Sequence, residues 1–381
     1  MRDLEKPTLL LDESRARLNI QRMAEKARRL GLRFRPHFKT HQSRDVGRLF
    51  REFGVEAITV SSVDMARYFS EDGWRDILIA FPANAREKDE IRRLAGAGRL
   101  GLLVESPEVV RRLGGDWPAP VDVWIKIDTG YHRTGIGWDD VEAAAAVAGE
   151  VQALAGLRLK GLLTHNGLTY GTRSTADLRT VHGESLRRMR AARAALSERG
   201  FKGLEISVGD TPSCKALEEF DGVAEIRPGN FVFHDVMQLE IGSCGEEEIA
   251  AAVACPVVAL HPKRNEAVIH GGAIHLSKEC LKTRDGQVIF GRVCLPEGDG
   301  WGKVLPGSSV AAASQEHGIV RTTPEIMGRL RIGDFLIILP VHSCLTVNLW
   351  QEYAGLGGAA FDTMRSPGRA AGNRRNPAWR T

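Results

Sequence analysis

Eight short apolar runs alternate with helical patterns between about residues 30 and 235, and this alternation constrains the fold more than any other feature of the chain. The stretches between the runs, such as 43–54 and 86–98, place apolar residues at helical spacing and end in glycine. Eight strands that alternate with helices are the number found in a (β/α)8 barrel. A doubly wound open sheet uses the same alternation, but the absence of an obvious reversal favours a closed TIM-type barrel. The runs are LRFRP (32–36), AITVSS (57–62), ILIAF (77–81), LGLLVE (100–105), VDVWIKID (121–128), LKGLLTH (159–165), LEISVG (204–209) and VAEIRPG (223–229).

The pattern changes after about residue 240, where strand-like segments are separated by polar and glycine turns. The opening segment 6–31 is typical of a strand followed by a helix that Asp12 or Ser14 caps. We therefore predict an α/β fold in which the barrel is followed by a second, mostly β C-terminal domain. The predicted strand segments of that domain are 250–261, 266–272, 287–294, 308–318 and 334–344, and the predicted domains are a barrel over 13–238, a β domain over 1–12 plus 239–360, and a basic, poorly ordered tail over 361–381.

The composition excludes several classes of protein. The net charge of +4 is spread along the chain and is too weak to predict a nucleic-acid partner. No run approaches the roughly 18 apolar residues of a membrane span, and the N-terminus lacks the apolar core of a signal peptide. The six cysteines form no CxxC pair, which indicates reduced thiols. We therefore expect a cytoplasmic protein without a membrane partner.

Polar side chains follow several predicted strands, at the end where barrel enzymes carry their chemistry. Lys39 follows the first strand within RPHFKTHQ, between two histidines and with little apolar cover. Arg133 follows the fifth strand and His165 ends the sixth. Because the carboxyl ends of barrel strands surround one mouth, we expect these side chains to converge.

A phosphate site is predicted after the seventh and eighth strands, in SVGDTPS (207–213) and RPGN (227–230). Each segment alone is typical of an ordinary turn. Side by side, their glycines, hydroxyls and backbone amides match the usual phosphate site of a barrel. A lysine at one strand end and a phosphate site at others indicate pyridoxal phosphate, whose aldehyde forms a Schiff base with a lysine amine.

The same motifs carry a family resemblance that spans roughly residues 5 to 352 in matching order. RPHFKTH, KIDTGYHRTGI, LLTHNG, SVGDTPS and EIRPGNFVFHD resemble the alanine-racemase-like, fold-type III pyridoxal phosphate enzymes. SQEHGI and LPVHSCLTVNLW resemble the branch of D-threonine aldolase and D-serine dehydratase. The resemblance implies a D-amino acid substrate and a head-to-tail homodimer in which one β domain closes the partner's barrel.

The resemblance also assigns roles to single residues. It implies that Lys39 is the Schiff-base lysine, that His165 stacks near the pyridine ring, that Arg133 lies near the phenolic oxygen and that Arg227 lies near the ring nitrogen. Phe231 stands where many relatives have tyrosine, and His270 stands where they tend to have aspartate. The roles of His270, His275 and the QEHG segment (315–318) are left open. The expected cofactor-binding set is Lys39, Arg133, His165, Ser207, Gly209, Thr211, Arg227, Gly229 and Asn230.

A metal site is expected at His342 and Cys344. On an extended segment, side chains two residues apart face the same side, so both can hold one divalent ion. The pattern alone is weak, because a cysteine is more often a buried apolar residue. The resemblance implies that this pair binds the metal, and an imidazole with a thiolate favours zinc over manganese or magnesium.

These residues predict a lyase dependent on pyridoxal phosphate and a divalent metal, acting on D-β-hydroxy-amino acids. D-threonine aldolase, which releases glycine and an aldehyde, is the favoured activity. Elimination to a keto acid and ammonia, as by a D-serine or D-3-hydroxyaspartate dehydratase, is the alternative. Lys39 would take the Cα proton, and His165 or Tyr170 would serve the substrate hydroxyl.

Two further classes are disfavoured. An amino-acid racemase needs a second base on the opposite face, often a tyrosine, and none of the four tyrosines lies in the VIHGGAIH segment (268–275). A non-catalytic pyridoxal phosphate carrier is a single barrel that lacks the second domain.

Overall fold

The computed structural model describes residues 4–366, and its first strand, β1 (Thr8–Leu11), leads into helix α1 (Glu13–Arg29). The sequence left Asp12 and Ser14 open as the N-terminal cap of α1, and the structure has Asp12 in that role. Its side chain accepts a hydrogen bond from the backbone amide of Arg15 at 3.0 Å, whereas Ser14 lies inside the first helical turn. The buried face of α1 carries Ile20 and Met23, which pack into the main hydrophobic core.

Eight parallel strands form the barrel, and all eight predicted runs are confirmed as its strands. Each strand pairs with its neighbours around the ring, and a single bridge between His37 and Thr59 joins the two strands at the remaining gap. The strands are β2 (Arg33–Phe34), β3 (Ala57–Val60), β4 (Asp76–Pro82), β5 (Arg99–Val104), β6 (Val121–Asp128), β8 (Leu157–Leu163), β9 (Glu205–Val208) and β10 (Glu225–Ile226), while the short β7 (Ile136–Gly137) pairs with β6.

Helices follow the strands, and their N-terminal caps explain where they begin. Ser43, Ser62, Asp140 and Ser174 each accept a hydrogen bond from a backbone amide three residues later. The apolar faces of these helices pack against the barrel strands, where burial of each large aliphatic side chain contributes about 1.5–3 kcal/mol. The helices are α2 (Arg44–Arg51), α3 (Val63–Glu71), α4 (Lys88–Ala97), α5 (Pro107–Leu113), α6 (Val141–Ala153), α7 (Thr175–Glu198), α8 (Thr211–Ala216) and α9 (Val236–Ile241).

The second half of the chain is mostly β, as predicted. Its strands close an antiparallel barrel in the order β11-β12-β17-β16-β15-β18, with β18 pairing back to β11, and β1, β19 and β20 extend the sheet beyond β11. The strands are β11 (Ala251–His261), β12 (Glu266–His270), β13 (Leu281–Lys282), β14 (Val288–Ile289), β15 (Gly291–Glu297), β16 (Gly300–Ala313), β17 (His317–Arg321), β18 (Phe335–Pro340), β19 (Glu352–Gly355) and β20 (Ala360–Asp362), and the helices are α10 (Ala273–Leu276), α11 (Pro324–Arg329) and α12 (Ser343–Val347).

Two predicted strands of this half differ from the observed elements. The segment 308–318 spans the end of β16, a turn and the start of β17. The segment 334–344 is a strand only as far as Pro340, which lacks the amide hydrogen that a further ladder bond requires. The chain then starts α12, where the backbone amide of Ser343 donates to Asp235 at 2.9 Å. His342 therefore caps a short helix and Cys344 lies within it.

Strand β20 includes Phe361 and Asp362, which the sequence analysis assigned to the tail. Phe361 is buried, and Asp362 accepts a hydrogen bond from the hydroxyl of Ser43 at 2.9 Å. Residues 367–381, the rest of the predicted tail, lie outside the described residues. None of the helices within 4–366 is long and apolar enough to cross a membrane.

Candidate active site

A cavity of about 490 Å³ opens at the carboxyl ends of the barrel strands. Residues from the barrel loops form most of its wall, and Glu279, His342 and Cys344 of the second half complete it. With one exception, the structure brings together all the residues that the sequence analysis placed in the site. The cavity is lined by Lys39, Arg133, His165, Tyr170, Gly209, Thr211, Arg227, Gly229, Asn230, His342 and Cys344.

Lys39 lies in the loop after β2, and its backbone amide donates to the ring Nδ1 of His37 at 3.4 Å. Burial lowers the pKa of the Lys39 amine; the nearby Cys344 thiolate opposes this shift, and Arg133 and Arg227 add to it. A lower pKa leaves more of the amine unprotonated near neutral pH, which is the form that attacks an aldehyde. The site thus suits the covalent role predicted for Lys39.

The ring of His165 is held by the backbone of the next strand loop. Its Nδ1 donates to the carbonyl oxygen of Gly209, because a carbonyl can only accept. Burial and the charge of Lys39 hold the pKa of His165 well below its ordinary value. His165 is therefore a neutral imidazole whose Nε2 carries no proton, and it is a weak base.

Tyr170 lies on a short 3-10 helix, Gly167–Gly171, and its ring is 6.0 Å from that of His165. The Tyr170 oxygen accepts a hydrogen bond from the amide of Thr211 at 3.4 Å. Burial and the nearby Asp210 raise the pKa of Tyr170 well above its ordinary value. Tyr170 therefore keeps its proton and can donate a hydrogen bond, and it is not suited to act as the base that the sequence analysis allowed.

Ser207 is the exception among the expected site residues, because it does not line the cavity. It lies on β9 beneath the floor, where its hydroxyl donates to Glu225 at 2.8 Å and accepts from Nε of Arg227 at 2.7 Å. The far end of Arg227 donates to the carbonyl oxygen of Thr164 at 2.6 Å. Burial lowers the pKa of Arg227 to about 10, against the opposing charge of Glu225. Ser207 therefore orients Arg227 and does not reach a bound molecule.

Unpartnered polar atoms fit the phosphate predicted beside α8. The buried hydroxyl of Thr211 and the amide oxygen of Asn230, which both line the cavity, have no hydrogen-bond partner among the described residues. Gly229 lets the backbone approach closely, since a Cβ there would lie 2.8 Å from the carbonyl oxygen of His37. Burial raises the pKa of Asp210, which weakens its repulsion of an anion. A hydroxyl-lined cradle of this kind suits a phosphate.

Arg133 follows a loop that the carboxylate of Asp128 holds in place. One oxygen of Asp128 accepts hydrogen bonds from the amides of Gly130, Tyr131 and His132 at 2.9 to 3.1 Å. The guanidinium of Arg133 lies 5.4 Å from the centre of the Tyr131 ring. The loop thus brings an exposed cation to the wall of the cavity.

His342 and Cys344 contact each other at the cavity wall and suit a divalent ion. Burial alone would lower the pKa of His342, but the Cys344 thiolate raises it to about 9. Burial alone would raise the pKa of Cys344, but His342 and Lys39 lower it. The buried Nδ1 of His342 has no partner among residues 4–366. A thiolate beside an unpartnered imidazole nitrogen is a donor pair that zinc prefers.

Sequence reasoning missed two charged residues of the cavity wall, Lys126 and Glu279. Lys126 lies within β6, and its amine donates to the carbonyl oxygen of Ile127 at 2.9 Å. Burial, with the charges of Arg227 and Arg133, lowers the pKa of Lys126 to about 8. A lysine among the buried residues of a strand was the available signal. Glu279 follows α10 and has no local signal.

The residues left open by the sequence analysis lie outside this wall. His270, His275 and Glu316 come together at another point of the second half and do not line the cavity. Phe231 packs behind the cavity, with its ring 5.8 Å from that of Phe34.

Known families match both halves of the chain. The family "Alanine racemase, N-terminal domain" matches residues 11–235. The family "Putative serine dehydratase domain" matches residues 250–356. The first match covers the parallel barrel and the second covers most of the antiparallel one.

Curated relatives match over nearly the whole chain. The D-threo-3-hydroxyaspartate dehydratase of Delftia sp. (strain HT23) is 32% identical over 363 residues, which cover 93% of this chain and 94% of that protein. The D-serine dehydratase of Dictyostelium discoideum is 30% identical, with 92% and 93% covered. A 3-hydroxy-D-aspartate aldolase of Paracoccus denitrificans (strain Pd 1222) is 25% identical, with 95% and 91% covered.

Solved structures agree with these matches. The D-threo-3-hydroxyaspartate dehydratase from Delftia sp. HT23 superposes with a TM-score of 0.87 at 30% identity, covering 96% of this chain and 98% of that one. A cysteine-to-alanine variant of D-threo-3-hydroxyaspartate dehydratase in the metal-free form has the same TM-score, identity and coverage.

Proposed function

Because this chain belongs to the fold-type III family of pyridoxal-phosphate-dependent D-amino acid lyases, we propose that it eliminates water from a D-β-hydroxy-amino acid, with D-threo-3-hydroxyaspartate and D-serine as the candidate substrates. The products would be a 2-oxo acid and ammonia. The observation that carries the proposal is the placement of the His342–Cys344 pair on the same cavity wall as Lys39.

The residues of the cavity fit pyridoxal phosphate. Lys39 would hold the aldehyde carbon, Thr211 and Asn230 would bind the phosphate, and Arg227 would face the ring. The bound cofactor would supply a ring that withdraws electrons from the substrate α-carbon.

Lys39 is the group suited to take the proton from the substrate α-carbon. Its lowered pKa, caused by burial, makes the unprotonated amine available near neutral pH. The loop that carries Lys39 also carries Thr40, whose hydroxyl lies 3.2 Å from the Cys344 thiol. The proton acceptor and the metal-binding pair are therefore held side by side.

His342 and Cys344 would hold a divalent ion, which would supply Lewis acidity at an alcohol oxygen. The metal-free form named for a cysteine-to-alanine variant of D-threo-3-hydroxyaspartate dehydratase is consistent with a metal at a cysteine in this fold. The thiolate and imidazole donors favour zinc in this chain.

The protonation of the neighbouring side chains favours elimination over carbon–carbon cleavage. A departing hydroxide is stabilised by a hydrogen-bond donor, and Tyr170 keeps its proton because its pKa is raised. Cleavage instead needs a base at the substrate hydroxyl, and the lowered pKa of His165 makes it a weak one. The site is thus better supplied with a hydrogen-bond donor for the departing oxygen than with a base at the substrate hydroxyl.

Cleavage to glycine and an aldehyde is the second candidate, because aldolases occur in the same family. The D-threonine aldolase activity favoured by the sequence stays a prediction. The test incubates purified protein, pyridoxal phosphate and zinc with D-threo-3-hydroxyaspartate, D-serine and D-threonine in separate reactions. Ammonia with oxaloacetate or pyruvate is the expected result. Glycine with acetaldehyde from D-threonine, and no ammonia, would overturn the proposal.

The head-to-tail homodimer and the cytoplasmic location also stay predictions. Size-exclusion chromatography with light scattering would measure the mass in solution, and a dimer is expected.

A further inference from the structure

Three metal-ligating side chains meet outside the cavity: His270, His275 and Glu316. They come from three elements that are separate in the chain. His270 ends β12, His275 lies in α10, and Glu316 lies in the turn between β16 and β17. The family resemblance assigns no role to this cluster. Its three residues do not line the cavity at the mouth of the parallel barrel.

The backbone around the cluster is fixed by contacts between the two segments that carry it. The amide of Gly271 donates to the carbonyl oxygen of Glu316 at 3.0 Å, and the amide of Ala273 donates to that of Ser314 at 2.7 Å. A Cβ on Gly272 would lie 2.5 Å from the carbonyl oxygens of Ser314 and Gln315. Only glycine permits this approach, so the two segments hold the three side chains over one point.

The distances among the side chains suit a small metal ion. Nε2 of His270 lies 3.4 Å from a carboxylate oxygen of Glu316, and one ligand atom from each of the three residues lies within 4.8 Å of the others. Two ligands about 2.1 Å from a tetrahedral zinc lie about 3.4 Å apart. The His270–Glu316 pair already has this spacing, and a small rotation of His275 would complete the set.

One buried ring nitrogen of the cluster makes no hydrogen bond within residues 4–366. The Nδ1 atom of His275 is buried and has no hydrogen-bond partner among the described residues. The rings of His270 and His275 are 5.2 Å apart and nearly perpendicular, so they do not stack. A plain ion pair between His270 and Glu316 would leave this nitrogen unpartnered, whereas a metal ligated by all three residues gives His275 a role.

We propose that His270, His275 and Glu316 bind a second divalent transition-metal ion, with zinc preferred. Two imidazoles and one carboxylate are a common zinc set that leaves a further position for water. The side chains of His270 and Glu316 are 42% and 46% exposed, which leaves a path for the ion and for that water. The two proposed ion sites differ in their ligand atoms. The His342–Cys344 pair offers a thiolate, and the second cluster offers none.

The bound ion would hold the segment 271–280 against the turn between β16 and β17. This segment supports the helix of the first metal pair, since Thr346 donates to the carbonyl oxygen of Leu276 at 2.8 Å and Trp350 donates to that of His275 at 3.0 Å. It also carries Glu279 to the cavity wall. The second ion would therefore stabilise the wall without contacting the substrate.

The test counts zinc on the full-length protein loaded with pyridoxal phosphate, stripped with chelator and dialysed against buffered zinc. The variants are Cys344→Ala, Glu316→Gln, His270→Ala and the double variant Cys344→Ala/Glu316→Gln. His317→Ala is the control, because His317 pairs with His270 across the strands but is not in the cluster. Circular dichroism verifies that each variant is folded.

We expect Cys344→Ala and His317→Ala to keep zinc at the second site and Glu316→Gln and His270→Ala to lose it. The double variant should bind at least ten times less zinc than Cys344→Ala. With cobalt in place of zinc, Cys344→Ala should show visible absorption without a thiolate-to-cobalt band, and the added Glu316→Gln change should remove it. The proposal fails if Cys344→Ala binds no zinc, or if Glu316→Gln leaves the zinc content unchanged. Neither result depends on the activity of the enzyme.

Discussion

The hydroxyl of Thr40 lies 3.2 Å from the thiol of Cys344, although 304 residues separate them in the chain. This contact joins the loop after the first barrel strand to the helix that follows the last strand of the second barrel. It also places the amine of Lys39, which we propose binds the cofactor, near Cys344 of the His342–Cys344 pair. The proposed chemistry therefore needs both barrels, and a single parallel barrel would lack the ion.

Lys39 and Lys126 both line the cavity, and burial lowers the pKa of each, so the lysine that binds the cofactor has to be identified. We expect Lys39→Ala to lose the absorbance band of the lysine-bound cofactor and to lose activity by at least a hundredfold. Lys126→Ala should keep the band, because the amine of Lys126 is bound to the carbonyl oxygen of Ile127. Borohydride reduction followed by peptide mass spectrometry locates the label, and a label on Lys126 would contradict the assignment.

Replacing Cys344 with alanine should separate the metal from the cofactor. The thiol contacts the phosphate cradle only through a long hydrogen bond of 3.7 Å from Nδ2 of Asn230, and the amide oxygen of Asn230 does not depend on it, so the absorbance band should remain while the first zinc is lost. Activity should fall by about a hundredfold or more, since one Lewis acid contributes several kcal/mol. Cys214→Ala is the matched control, because Cys214 is fully buried outside the cavity. Unchanged turnover after chelation of the wild-type protein would rule out a role for the ion.

The substitution Tyr170→Phe tests whether the hydroxyl of Tyr170 assists departure of the substrate oxygen. The substitution removes only the hydroxyl, so the apolar packing and the cofactor band should persist. We expect kcat to fall by about 10²–10³ with little change in KM, because a hydrogen bond to the departing oxygen strengthens as negative charge develops in the transition state. Tyr131→Phe is the control, since that ring lines the cavity but its side chain is exposed. An equal effect of the two substitutions would remove Tyr170 from the mechanism.

The eight barrel strands were predictable because each is a short apolar run bounded by turn residues, and their polar ends mark the site. Lys39, Arg133, His165 and Arg227 follow such runs directly or end them, which is why their convergence could be predicted. The local sequence determines where each strand ends, and closure of the barrel brings these ends together around one mouth.

Other parts of the site depend on long-range packing and carry no local signal. Glu279 reaches the cavity only because α10 packs on α12 through the Thr346–Leu276 hydrogen bond. Ser207 has the sequence of a phosphate-loop residue, yet the alternation of side chains along β9 turns it toward Glu225 and Arg227. The direction of a side chain at a strand end follows from the closed barrel, not from the motif.

The pH dependence of stability tests whether the charge of Glu225 stabilises the floor of the parallel barrel. The carboxylate is fully buried and accepts hydrogen bonds from Arg33, Arg35 and Ser207 at 3.0, 2.7 and 2.8 Å. Burial alone would raise the pKa of Glu225, but Arg35 and Arg33 lower it below the ordinary 4.5. Below pH 4.5 the unfolded chain therefore binds more protons than the folded one. The stabilisation is complete above that pH and is lost as the pH falls through the folded pKa.

We expect Glu225→Gln to lower the free energy of unfolding at pH 7 by at most about 3–5 kcal/mol, because the buried Arg35 would keep only Asp76 as its counter-charge. The difference from the wild type should shrink as the pH falls below 4.5. Urea titrations at several pH values measure it. Glu266→Gln is the control, since that carboxylate pairs with Arg264 at the surface and its removal should leave the urea midpoint unchanged. A loss that is the same at every pH would mean that the Glu225 charge does not stabilise the floor.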